Sequence, residues 1–345
     1  MKLNCSDIKG LSLPFYIVYI IFVQVAFSTS YRGGTIRWQP VPGSGNKVRI
    51  ARLLRVLELT GFWNKVRFDF QLGFGYGLGP NCTTDRKGQL AEPSSKNETW
   101  NCYRGCSETG LSVGPLSHHC TFSDQKRGWE QGANSFIHAF AGRGPFEVGH
   151  EGMRWPELST GNTVSTKLET WVDLRTRSDT DQPNSSPFTA SEPVHDAQFG
   201  CPFTLDLLLG DPDGDIVRCR WAVGAECLGS CQTLPEAKLH QDNCTIQFLA
   251  DGIYVADGWY AVTLTVEDFP RNAISRGNMT YTQSDALSAI PLQFMVHVVE
   301  INSSCGDRPV FVSGTARQGT VLMATAGSPI TPVMIHATNI DTTVG

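Results

Sequence analysis

Five segments between residues 201 and 298 alternate apolar and polar side chains with a period of two. In CPFTLDLLLG, Phe203, Leu205, Leu207 and Leu209 share a face; in DIVRCRWAV, Val217, Cys219 and Trp221 do. CTIQFL directs Cys244, Ile246 and Phe248 inward. WYAVTLTVED sets Tyr260, Val262, Leu264 and Val266 against Thr263, Thr265 and Glu267, and IPLQFMVHVVE offers Ile290, Leu292, Phe294, Val296 and Val298. Side chains that alternate in this way belong to strands with one buried face. Five of them in so short a span, separated by turn residues, predict an antiparallel sandwich. The expected fold class is mainly β, with tandem Ig-like sandwich modules, rich in disulfides and preceded by a signal peptide.

The amino terminus and the cysteines agree on a compartment. Lys2 and Lys9 precede an apolar run over residues 11–27, and Ala26 and Ser28 give a small-residue cleavage pattern, so residues 1–28 read as a secretory signal peptide. The alternative is an uncleaved signal anchor, because the run approaches a membrane-spanning length. Of the 11 cysteines, Cys5 leaves with the signal, and an even set remains: Cys82, Cys102, Cys106, Cys120, Cys201, Cys219, Cys227, Cys231, Cys244 and Cys305. In a secreted chain these predict disulfides of unspecified pairing, with AECLGSC closing a tight loop. Glycosylation sequons stand at Asn81, Asn97, Asn184, Asn243, Asn278 and Asn302, each expected on the surface. Secretion is thus the expected localisation, as a free protein or as the ectodomain of a longer anchored one.

Polar punctuation suggests the domain plan. The stretch RSDTDQPNSSP, residues 177–187, lacks apolar periodicity and reads as a linker. It separates a Trp- and Gly-rich β unit, residues 29–180, from the sandwich at 187–303. In the first unit YRGGTIRWQPV reads as a strand with Ile36 and Trp38 on one side, KVRIARLLRVLEL as a strand or short helix, and QLGFGYGLGP as irregular loop. Trp129, Trp155 and Trp171 fall among turns. Residues 305–345 look like the opening of a further, truncated sandwich, so the chain reads as an N-terminal fragment.

Several motifs invite a chemical reading. Asp211, Asp213 and Asp215 in GDPDGDIVRCRWA supply alternating carboxylates of the kind calcium accepts, although Ile216 and Ala222 occupy the loop-glycine and bidentate-glutamate positions of an EF-hand. The competing reading is a type I Asp-Pro-Asp-Gly turn. Cys102, Cys106 and Cys120 with His118 and His119 imitate a zinc site, yet an oxidising compartment favours bridges. Gly110-Leu111-Ser112-Val113-Gly114 matches a nucleophile elbow but is followed by Pro115 and a cysteine-rich loop instead of a helix. His150-Glu151 lacks the second histidine of a zinc protease. Lys47, Arg49, Arg52, Arg55, Lys65 and Arg67 form a basic stretch suited to a sulfated glycan, or simply a solvated face. A net charge of −5 on a secreted chain excludes nucleic acid as the expected partner.

GGTIRW, DPDGDIVRCRWA, AECLGSC, YAVTLTVEDF and LSAIPLQFMVHV together resemble an extracellular module found near the N-termini of large secreted or cell-surface proteins of marine invertebrates, often ahead of Ig-like, EGF-like or von Willebrand-type modules. The resemblance covers most of residues 31–300. It implies a non-enzymatic role in adhesion or recognition, with no cofactor beyond possible calcium and with a protein or glycan ligand. The alternatives are a secreted carbohydrate-binding or immune-recognition protein, and accessory domains of an enzyme whose catalytic unit lies past residue 345. Within Ig-like sandwiches Tyr260 matches a tyrosine corner, but Val262 stands where the usual inter-sheet cysteine would be. Cadherin-like and PKD-like sandwiches share the DPDGD turn into a strand; the DRE and DxNDN calcium motifs of cadherins and the glycine-aspartate run of PKD domains are missing.

Overall fold

The computed structural model describes residues 31–41, 64–78, 82–91, 98–161, 165–305, 309–313, 315 and 334–339. It is mainly β, as the alternation predicts. The expected signal peptide, Asn81, Asn97, and all of the basic stretch except Lys65 and Arg67 lie outside the described residues. Beyond Cys305, strands Pro309–Phe311 and Ala337–Asn339 pair antiparallel.

One nine-stranded sheet runs through both halves of the chain. From one edge its order is Ile216–Trp221, Gly258–Phe269, Ser288–Val299, Tyr31–Val41, Lys65–Gly75, Trp129–Ala139, His118–Asp124 and Leu90–Ala91, with Val194–Gln198 pairing parallel to Ser288–Val299. Strands Tyr31–Val41 and Ser288–Val299 meet at Gly34–Gln293 and Thr35–Leu292, so the expected units at 29–180 and 187–303 share a sheet. Two glycines let strand Tyr31–Val41 fit between its two neighbours, Gly33 on the side of Ser288–Val299 and Gly34 on the side of Lys65–Gly75. Gly33 sits at φ +147, and a Cβ there would stand 2.3 Å from the Gln293 carbonyl oxygen, while one at Gly34 would meet the Gln71 oxygen of the strand on the other side at 2.8 Å. Only a residue without a side chain lets the two backbones approach so closely.

Two smaller sheets cover opposite faces of the large one. The four-stranded sheet Leu111–Pro115, Thr99–Arg104, Phe146–Arg154, Ser165–Val172 packs with Ile36, Trp38, Phe68, Phe70, Ala261 and Met295. The three-stranded sheet Pro202–Asp206, Thr245–Leu249, Lys238–His240 packs with Val262, Leu264, Phe294 and Val296. Ala261 and Val262, like Met295 and Val296, are strand neighbours and therefore point to opposite faces. The central strands are thus buried on both sides. Thr263 and Thr265, expected to face outward, are 1% and 5% exposed; Thr263 Oγ1 donates to the Ser230 carbonyl at 3.1 Å.

Other expectations change for similar reasons. Much of the glycine run QLGFGYGLGP is strand: Lys65–Gly75 is continuous, and Phe68, Phe70, Leu72 and Phe74 all reach the core. Trp129 opens a strand, Trp171 lies within one, and Trp155 directly follows strand Phe146–Arg154; Trp129 and Trp155 are buried. Strand Ile216–Trp221 is an edge strand of the large sheet that delivers Cys219 to the core. Residues 177–187 are no exposed linker. Arg177, Asn184, Ser185 and Ser186 are buried, and Ser186 exchanges backbone and side-chain hydrogen bonds with Trp38 at 2.9 Å.

All ten predicted cysteines pair: Cys82–Cys120, Cys102–Cys106, Cys201–Cys305, Cys219–Cys244 and Cys227–Cys231. Cys227–Cys231 is the expected tight loop. Cys219–Cys244 ties the large sheet to the head of strand Thr245–Leu249, so an inter-sheet bridge exists even though Val262 is not a cysteine. The zinc-like grouping is consumed by two of these bridges.

Candidate functional site

The aspartate turn gathers its three carboxylates: their nearest ligand atoms lie within 4.8 Å of one another. The turn is the predicted one, since Gly214 N–H donates to the Asp211 carbonyl at 3.3 Å and Gly214 takes φ +78. Asp211 Oδ1 accepts from the Asp213 and Asp215 amides at 2.8 and 3.1 Å. Asp213 accepts from the Ser185 amide at 2.6 Å and from its hydroxyl at 3.3 Å.

Asp215 faces Arg177. The guanidinium, 1% exposed, grips both Asp215 oxygens, reaches Asp179 at 2.7 Å and donates to Asn184 Oδ1 at 2.5 Å. The Asn184 amide then donates to Asp268 Oδ2 at 2.7 Å, while Asp268 Oδ1 accepts from the Ser288 amide and hydroxyl at 2.8 and 2.6 Å. A continuous polar network therefore joins residues 177–187, the turn, and the two central strands.

Burial governs its electrostatics. It pushes the Asp268 carboxyl up to about 7 and the Asp211 carboxyl up to about 6, in both cases against the hydrogen bonds that favour the charged form. Burial also raises Asp213. For Arg177 burial opposes the charge, but the Asp215 and Asp179 carboxylates outweigh it and hold the guanidinium above its ordinary value. Arg177 is the cation at the centre of this acidic group.

The structure therefore unites Asp211, Asp213 and Asp215 and also supplies their partners. Asp211 Oδ2 is buried and accepts no hydrogen bond; the other five carboxylate oxygens of the triad have protein donors. Calcium takes six to eight oxygens. Sequence reasoning missed Arg177, Asn184 and Asp268, because their meeting requires chain segments 84 residues apart.

Asn184 does not lie on the surface, where a sequon is expected. It is fully buried, and its Nδ2, the atom that would carry the sugar, donates to Asp268 and the Ser185 carbonyl. Asn243, Asn278 and Asn302 are exposed as expected. Ser112 lies within strand Leu111–Pro115 and not at a strand-to-helix turn. Tyr260 OH accepts from the Val255 amide, five residues upstream, at 2.9 Å. Among the described residues no helix is long and apolar enough to cross a membrane.

These features define a disulfide-rich, mainly β chain with packed sheets. Searches of protein-family models and of curated proteins found nothing that matches it.

Proposed function

We propose that this chain is a non-enzymatic extracellular recognition or adhesion module whose second half is an Ig-like sandwich. The observation that carries the reading is the pairing of all ten cysteines, which suits an oxidising compartment and stiffens both packed layers. Rigid scaffolds of this kind present loops and sheet faces to partners at little ordering cost. The Ig-like reading is supported by strand order: Ile216–Trp221, Gly258–Phe269 and Ser288–Val299 lie in one sheet, and Pro202–Asp206, Thr245–Leu249 and Lys238–His240 in the other. The hydrogen bond from Val255 to Tyr260 supports it further, since a tyrosine corner bonds the backbone upstream in the same way.

The acidic network serves this reading as a structural lock. It holds residues 177–187 against the large sheet that both halves of the chain share. The test is to display the full secreted chain as a tetramer and measure its binding to cells and to isolated extracellular matrix. Saturable binding that disappears when the disulfides are reduced is expected; absence of saturable binding to either would overturn the proposal.

A further inference from the structure

The face of the large sheet opposite Ile36, Trp38 and Phe68 carries a groove of about 510 Å3. That volume lies within the ~300–1,000 Å3 usual for small-molecule sites. Its floor is a cross-strand lattice of polar side chains. Arg37 stands opposite Asp69, which stands opposite Ser135; Thr35 stands opposite Gln71, which stands opposite Ala133. Residues Phe188 and Thr189 form a wall.

Two hydroxyl oxygens in the groove lining, Thr35 Oγ1 and Thr189 Oγ1, are buried and make no hydrogen bond. Buried polar groups are nearly always satisfied, so two unpartnered hydroxyls beside one groove are the groups a ligand there would recruit. The groove also carries a net positive charge. Arg37 and Arg67 share the single carboxylate of Asp69, at 3.3 and 2.9 Å, and remain 39% and 46% exposed. Their unused N–H donors are free to take an anion. Phe188, 39% exposed, offers an aromatic face beside them, with the Arg37 guanidinium 5.7 Å from its ring centre.

Hydroxyl partners, an apolar face and a surplus guanidinium together match one chemistry. We infer that the groove binds an acidic saccharide: sugar hydroxyls pair with Thr35 and Thr189, a sugar C–H face lies on Phe188, and a carboxylate or sulfate meets Arg37 and Arg67. This deepens the recognition reading by naming a ligand class and a place for it.

The test uses the secreted full chain and three sets of length-matched oligosaccharides, bearing uronate, bearing sulfate, or neutral, in calorimetric titrations. At least one acidic set is expected to bind, and the neutral set to bind at least about tenfold more weakly, the loss of one charge-assisted hydrogen bond. Which acidic set binds identifies the anion. Arg37→Gln, Thr189→Val and Phe188→Ala are each expected to weaken binding about tenfold or more, with thermal midpoints unchanged, since none of these side chains belongs to the core. The inference is overturned if neither acidic set binds, if the neutral set binds equally well, or if binding survives all three substitutions. Cell or matrix binding that persists in the groove variants sinks the groove while leaving the adhesion reading intact.

Discussion

Replacing Arg177 by glutamine should show how much of the stability rests on the polar lock. The substitution removes the one cation among the described residues that touches Asp215, whose side chain is 4% exposed, and takes a donor from the buried Asn184. Breaking a buried ion pair from one side costs about 3–5 kcal/mol, because the remaining charge stays desolvated. The contact to Asp179 adds little: that carboxylate is 38% exposed, and such pairs contribute about 0–1 kcal/mol. Glutamine can still donate one hydrogen bond, which places the expectation at about 3 kcal/mol. For a folded region of this size that lowers the thermal midpoint by roughly 6–12 °C.

Urea denaturation at neutral pH with disulfides intact is the assay, read as a shift of midpoint at constant slope. Arg177→Lys keeps the charge without the planar fork and should fall between the parent and the glutamine variant. The double variant Arg177→Gln/Asp215→Asn removes both charges and should recover most of the loss, with a coupling above about 1.5 kcal/mol. A glutamine variant within about 0.5 kcal/mol of the parent, the range of an ordinary surface change, would refute the lock. Additive single and double effects would refute the pairing.

Three further outcomes test the same region. Asp268 and Asp211, held at about 7 and about 6 in the folded chain, retain protons that the unfolded chain releases near its ordinary value of about 3.9. Their contribution is therefore full below about pH 4 and lost as pH rises towards 7; since His118, His138 and His195 are held low by desolvation and slope the other way, the readout is the difference between parent and Asp268→Asn, which should flatten the decline over pH 4–7. An identical pH profile in the variant would count against the buried-acid account. Because five of the six triad oxygens already have protein donors, calcium and EDTA should give the same melting temperature; a calcium-dependent rise that Asp213→Asn abolishes would establish a metal site instead. Peptide mapping after enzymatic deglycosylation should find Asn184 unconverted, and conversion of Asn184 to aspartate would contradict its burial.

Tyr31–Val41 and the long strands of the second half were legible because each carries its period-two signal on one face. Ile36 and Trp38, Ile246 and Phe248, and Val262 through Val266 all lie where alternation puts them. The strand Lys65–Gly75 carries the same signal in Val66, Phe68, Phe70, Leu72 and Phe74, and was obscured only by weighting its glycines as breakers. Gly73 is required there for another reason: a Cβ would lie 2.2 Å from the Pro193 side chain. Glycine in a strand can thus record a neighbouring chain segment as well as a turn.

What the pattern hides is the joining of the halves. A sheet covered on one face alternates, and its polar positions read as solvent-facing; cover the second face, and small hydroxylated residues can occupy those positions if they find carbonyls. Thr263 and Thr170 do so, the latter donating to the Ala289 carbonyl at 2.7 Å. Gln293 goes further, accepting from Tyr31 at 3.0 Å and donating to the Lys167 carbonyl at 2.8 Å, so a residue that looks like the polar side of a strand is the joint between the two cores. The 177–187 stretch misleads by the same logic. Asn, Ser and Asp are turn formers in isolation, but the hydrogen-bonding capacity that gives them that propensity also lets them line a buried contact whose partners lie far along the chain. The double glycine of GGTIRW is the local sign of this arrangement: it marks the point where strand Tyr31–Val41 comes against Gln293, and hence where two apparent domains become one sheet.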